Sequence, residues 1–170
     1  MKLKLLVIGH GRHGKDTVCE ILRDKYGYSF ESSSKFCSKL FIYNDLKDKY
    51  GYTSEEECYA DRHNHRQEWY EAICDYNVPD AATLGREIFQ AHDIYCGLRN
   101  KREFFAMKNT GVFDKAIWVD RLDHLPPESK NSMSLEQWMA DYTIDNNGSL
   151  AELEFNVGQL INHIDPYSTY

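Results

Sequence analysis

Gly9-His10-Gly11-Arg12-His13-Gly14-Lys15-Asp16-Thr17 decides how this chain is read. Three glycines are spaced through a polar stretch, and a lysine follows the last of them. Glycine lets the backbone take positive φ and brings amides close to a ligand. Before this stretch, Lys2 to Ile8 carries Leu5, Val7 and Ile8, an apolar run of the kind a parallel strand shows when both faces are buried. After it, Val18, Ile21 and Leu22 recur at helical spacing up to Tyr26, and Gly27 supplies a stop. A strand, a glycine turn and a helix in that order set the helix's unsatisfied amides and dipole over the turn, where both favour an anion. Lys15 adds a flexible cation.

The spacing Gly, four residues, Gly-Lys is the core of the Walker A pattern, which cradles the phosphates of a nucleoside triphosphate. The residues expected to bind the donor are therefore Gly9, Gly11, Arg12, His13, Gly14, Lys15, Asp16 and Thr17. The pattern departs from its usual form at Asp16, where a Ser or Thr hydroxyl commonly reaches magnesium. Asp16, directly or through water, and Thr17 are the expected metal ligands.

Outward from the loop, strands and helices alternate. Tyr28 to Phe30 reads as a second strand, Ala81 to Ala91 as a helix, Ile94 to Cys96 as a strand and Asn100 to Lys108 as a helix. Ala116 to Val119 is a further buried-type strand and Tyr142 to Ile144 a last one. Ser149 with Glu152 forms a capping box before a final helix striped by Leu150, Leu153, Val157, Leu160 and Ile161. Ser134 with Gln137 is expected to cap a short helix. Ser32 to Asn77 breaks the alternation: it is polar, aromatic and charged, with Thr53 and Glu56 placed to open a helix running through Asp75. Leu122 to Asn131, with Pro126-Pro127, reads as a loop. The order implies a parallel sheet covered by helices on both faces.

Composition bounds the function. The chain has 170 residues, enough for one domain with its own core, and 42% apolar residues argue for a folded chain. A net charge of −7 disfavours a protein that grips nucleic acid over its whole surface. The five cysteines, Cys19, Cys37, Cys58, Cys74 and Cys96, include no Cys-x-x-Cys pair, which points away from a disulfide framework and toward a reducing, cytoplasmic compartment. Only about seven residues precede the glycines, short for a signal peptide. No stretch approaches the ~20 apolar residues of a membrane helix. Cys58, Asp61, His63 and His65 lack the spacing of a tetrahedral zinc set.

Gly14-Lys15-Asp16-Thr17, Asp93-Ile94-Tyr95-Cys96-Gly97-Leu98-Arg99-Asn100, Trp118-Val119-Asp120-Arg121 and Ile144-Asp145-Asn146-Asn147-Gly148-Ser149-Leu150 together resemble the bacteriophage deoxynucleoside monophosphate kinases. The resemblance extends over nearly the whole chain in element order. It implies a three-layer α/β P-loop NTPase fold with a five-stranded parallel sheet, an acceptor-binding helical insert at 32–77 and a lid at 121–137. It also implies ATP and Mg2+ as cofactors, a nucleotide donor with a small nucleotide acceptor, and the host cytoplasm as location if the chain is phage-encoded. A homodimer is one assembly compatible with it.

Arginine binds phosphate bidentately and keeps its charge. Arg99 and Arg121 each follow a strand, where open parallel sheets bind ligands. With Lys15 they are the expected catalytic cations. Arg66 and Arg62, with Trp69 as a stacking surface, are the expected acceptor contacts alongside Arg99; Tyr70 and Tyr76 are further candidates for stacking. A monophosphate acceptor is largely ionised near neutrality and needs no general base. A rival acceptor is the hydroxymethyl group of a modified pyrimidine, 5-hydroxymethyluracil, in phage DNA. That chemistry would use a carboxylate base, for which Asp16, Asp45, Asp61 and Asp93 are the candidates. A non-catalytic nucleotide-binding switch is the reading from another class.

Overall fold

The computed structural model describes residues 1–168. Its centre is a five-stranded, all-parallel sheet in the order β2-β3-β1-β4-β5: β1 Leu5–Ile8, β2 Phe30–Ser32, β3 Ile94–Cys96, β4 Lys115–Asp120 and β5 Tyr142–Asp145. Because strand side chains alternate, the apolar run of β1 serves two cores. Leu5 and Val7 pack with Ile117 and Val119 against α1 (Lys15–Tyr26) and α8 (Leu150–Ile164). Leu6 and Ile8 pack with Tyr95 and Trp118 against α6 (Thr83–Ala91), α7 (Lys101–Asn109) and the helical insert. The result is three layers with both sheet faces buried. No described helix is long and apolar enough to cross a membrane.

The strand order creates a crevice. After β1 the chain leaves toward β2, and after the neighbouring β4 it leaves toward β5. Adjacent strands whose connections diverge leave room for a ligand beyond their carboxyl ends. The loops after β1, β3, β4 and β5 all meet there, and they carry Gly9–Gly14, Arg99, Arg121 and Asn146.

Several sequence expectations shift. The second strand begins at Phe30, which pairs with Ile94, rather than at Tyr28. Tyr28 is buried, and its hydroxyl donates to Asp165 at 2.6 Å, so it is committed to packing before the ladder starts. The insert comprises α2 (Ser33–Cys37), a π-helical turn at Ser38–Ile42, α3 (Tyr43–Tyr50), α4 (Glu55–Ala60), a 3-10 turn at Arg62–Asn64 and α5 (Arg66–Tyr76). The helix expected through Asp75 is thus interrupted after Ala60. There Asp61 accepts from Asn64 at 2.6 Å, His65 at 2.9 Å and Tyr52 at 2.6 Å. A short polar side chain offers the backbone local partners that compete with a continuing helix. The cap is also one residue later than expected: Ser54 accepts from the Glu57 amide at 3.2 Å.

Ser134 and Gln137 do not form a cap. Ser134 accepts from the Lys101 amide at 2.8 Å and donates to the Arg99 carbonyl at 3.2 Å, and only one 3-10 turn follows at Gln137–Met139. The capping box of Ser149 and Glu152 is present as read. In the final helix Leu153, Val157 and Ile161 are buried, while Leu150 faces solvent.

Candidate functional site at the carboxyl edge of the sheet

The loop from Gly9 to Gly14 is shaped by its glycines. Gly9 has φ 150°, and a Cβ there would lie 2.6 Å from the Val119 carbonyl, so the chain runs flush against β4. Gly14 has φ 94°, and a Cβ there would lie 2.3 Å from the Asn146 amide nitrogen. Arg12 also takes a left-handed φ of 64° and points into solvent. Left-handed residues within a turn rotate neighbouring amides toward one side, which makes a concavity for anions. The loop ends in α1, whose N-cap Gly14 offers no side-chain acceptor, so the first-turn amides have no cap from that residue.

The neighbouring loops brace this turn. The Arg121 amide donates to His13 Nδ1 at 3.0 Å, and the Asn146 side chain donates to the His13 carbonyl at 2.9 Å. Arg121 Nη1 reaches the Asn146 carbonyl at 2.5 Å, and the Asn146 amide reaches Asp120 at 2.8 Å. His13, expected among the donor-binding residues, is fully buried with its Nδ1 as acceptor. Its ring is a strut between β1 and β4, and its other nitrogen is buried without a partner.

Cations converge on the loop. Lys15 donates to the His10 carbonyl at 2.7 Å. Burial first, then the charge of Arg99, lowers the Lys15 pKa. Burial also lowers the pKa of His10, helped by His13. The Arg99 guanidinium bonds to the Glu128 carboxylate, whose other oxygen accepts from the Gly11 amide. Burial raises the Glu128 pKa, but Arg99, the Gly11 amide and Lys15 together outweigh it and hold the carboxyl below its ordinary value. A carboxylate from the segment after β4 therefore sits on this turn, held by the Gly11 amide and the Arg99 guanidinium.

Glu128 was not legible from sequence. It lies in a proline-rich loop without periodicity, and only the fold brings it to Gly11. The stretch 121–137, expected as a lid, is exposed over only part of its length. Leu122–Ser132 is mostly exposed, but Met133, Leu135 and Met139 are buried in the core. Both ends of this exposed stretch thus tie to the loop region, through Arg121 at one end and through Ser134 on Arg99 at the other.

The acceptor residues do not gather. Arg62 bonds to the Tyr59 carbonyl at 3.0 Å and stacks over the Tyr59 ring, and Arg66 is exposed at the start of α5. Trp69 is 5% exposed and belongs to the core, which removes it as a stacking surface. Tyr76 stacks on Phe41, and Tyr70 accepts from Asn100 at 3.1 Å. The insert does carry a cavity of about 480 Å³, but Asp45, Glu68, Glu71 and Asp75 line it, the wrong sign for a phosphate. Of the candidate bases, Asp93 pairs with Lys4 at 3.2 Å and with Ser29, at the amino end of β3 and so across the sheet from the loop. Asp61 is engaged within the insert. Asp16 alone lies at the loop, exposed, and accepts from Cys96 Sγ at 3.5 Å.

Comparison with protein-family models and with curated proteins finds no match for this chain.

Proposed function

We propose that the chain is a P-loop kinase that transfers the terminal phosphoryl group of ATP to a (deoxy)nucleoside monophosphate. One observation carries the reading: at the sheet's crevice, a loop amide and a guanidinium converge on one carboxylate of the chain itself, with the Lys15 ammonium held on the same loop at the His10 carbonyl. A donor triphosphate presents the same kind of oxygen with more charge.

Phosphoryl transfer depends on positioning and charge neutralisation rather than on covalent chemistry. The Gly11 amide and the first turn of α1 would hold the donor's phosphates. Lys15 would leave the His10 carbonyl for a terminal phosphate oxygen. Arg99 would face the transferred group from β3, and Arg121 from β4. Asp16 and Thr17 supply hard oxygen donors at the first turn of α1, a donor set that fits Mg2+. When bound, that ion neutralises charge between the donor phosphates. A cavity of about 650 Å³ beside the loop after β5, lined by Asp145, Asn147, Gly148 and Phe155 among others, offers room for a base.

A DNA hydroxymethyl acceptor remains the second reading, because Asp16 stands exposed at the loop as a candidate base. The test uses labelled ATP with Mg2+. Product from a free deoxynucleoside monophosphate supports the first reading, and product only on DNA containing 5-hydroxymethyluracil supports the second. Nucleotide binding without transfer to either would replace both with a switch.

A further inference from the structure

The lid projects one carboxylate inward. Pro126, Pro127, Ser129 and Lys130 are exposed, while the Glu128 side chain is 18% exposed. Glu128 docks with its backbone too, its amide donating to His10 Nδ1 at 3.1 Å. A carboxylate offers two oxygens to two donors with a geometry close to that of two phosphate oxygens. It also neutralises Lys15 and Arg99, which otherwise repel each other. A phosphate group needs the same Gly11 amide and the same guanidinium, so the two anions cannot be seated together.

We propose that Glu128 is an internal anion that plugs the phosphate cradle when no donor is bound, and that the donor's phosphates expel it. Donor entry and lid release are then one event, and the plug's stability sets an affinity threshold that weakly charged anions fail to cross. The inference rests on the cradle assigned under the proposed function, though not on the transfer step. A plugged cradle scales the donor's apparent affinity down by the fraction of molecules in which the cradle is open.

Inorganic pyrophosphate is the probe, with wild type, Glu128→Gln and, as a charge control, Glu136→Gln. Glu136 is an exposed carboxylate just beyond 122–132, where it accepts from Trp138 instead. Calorimetry is expected to show pyrophosphate binding about tenfold tighter to Glu128→Gln, for a charge-assisted contact of ordinary strength, and within about twofold of wild type for Glu136→Gln. Hydrogen exchange across 122–132 is expected to be slow in the wild type alone, fast in Glu128→Gln, and fast in the wild type once pyrophosphate binds. Pyrophosphate bound to the wild type with the lid still protected would overturn the plug, as would unchanged affinity and exchange in Glu128→Gln. Binding of pyrophosphate to neither protein would remove the cradle and the plug together. The transfer assay separates the two claims: lid release without transfer upholds the plug and removes the kinase, whereas transfer with unaltered Glu128→Gln behaviour does the reverse.

Discussion

The glycine loop and the insert differ in where their hydrogen-bond partners come from. In the insert, two carboxylates take their donors from within: Asp61 from Tyr52, Asn64 and His65, and Glu68 from Lys49 and Tyr50. At the loop, donors exceed what the loop itself can satisfy, and the surplus is met by a side chain from a loop more than a hundred residues away in sequence. Carboxylates that take their donors from neighbouring residues hold the shape of their own segment. A loop that borrows its acceptor from another segment can exchange it.

The largest break in that contrast is Lys15→Ala. Removing a cation that neutralises a transferring phosphate is expected to reduce turnover by about a thousandfold or more. Single-turnover transfer from labelled ATP measures it. The melting temperature should not fall, because the folded protein holds the Lys15 ammonium in a desolvated place that disfavours its charge. Near-normal turnover in the variant would remove the loop from the mechanism.

How much of this was legible follows the same divide. β1, the loop and α1 are set by local chemistry: three glycines, a two-faced apolar strand and an amphipathic helix, so their positions and the place of Lys15 follow from neighbouring residues. The insert's shape is set by contacts such as Tyr52 to Asp61 and Asn77 to Glu103, which no periodicity announces. Trp69 illustrates the cost of reading residue type alone. An aromatic in an arginine-bearing segment looks like a base platform, but its burial in the core decides otherwise. Glu128 shows the converse, a site residue hidden in a loop because topology alone carries it to Gly11.

Next in size is Glu103, where the insert's last residue meets the body. Asn77 donates to Glu103 at 3.0 Å and accepts from the Leu84 amide at 3.0 Å, joining the end of α5 to α6 and α7. Burial pushes the Glu103 pKa up to about 7 from an ordinary 4.5. Between those pH values the folded protein holds a proton that the unfolded chain releases, so stability falls as pH rises and levels off above about 7. The loss is at most about 3 kcal/mol. Glu103→Gln keeps the acceptor oxygen and should flatten this part of the profile, leaving the variant the more stable protein at about pH 8. Urea titrations of both proteins across this window check it.

Two glycines then sharpen the comparison. Gly14 and Gly51 share left-handed geometry, with φ 94° and 71°. A Cβ on Gly51 meets nothing within 4 Å, whereas one on Gly14 strikes Asn146. Alanine at 51 should cost only the left-handed strain, about 1 kcal/mol. Alanine at 14 should cost about 2 kcal/mol, since the strain is joined by a clash. It should also weaken pyrophosphate binding, because Asn146 must release the His13 carbonyl. Equal losses from the two variants would mean that the loop is no more constrained than a surface turn.

The smallest effect tests the helix ends. α4 in the insert has its N-terminus closed by Ser54, and Thr53 adds an amide at 2.8 Å and a hydroxyl at 3.0 Å to the Glu57 carboxylate. α1 at the loop follows Gly14, which supplies no side-chain cap. Ser54→Ala should therefore destabilise the protein by about 1 kcal/mol and leave pyrophosphate affinity unchanged. The corresponding gain at α1 should come from the ligand: pyrophosphate should slow hydrogen exchange at the first-turn amides of α1 and leave those of α4 as they are, since only the open end has donors to offer. Equal protection at both helices would mean that the anion stiffens the whole fold without seating on the α1 end.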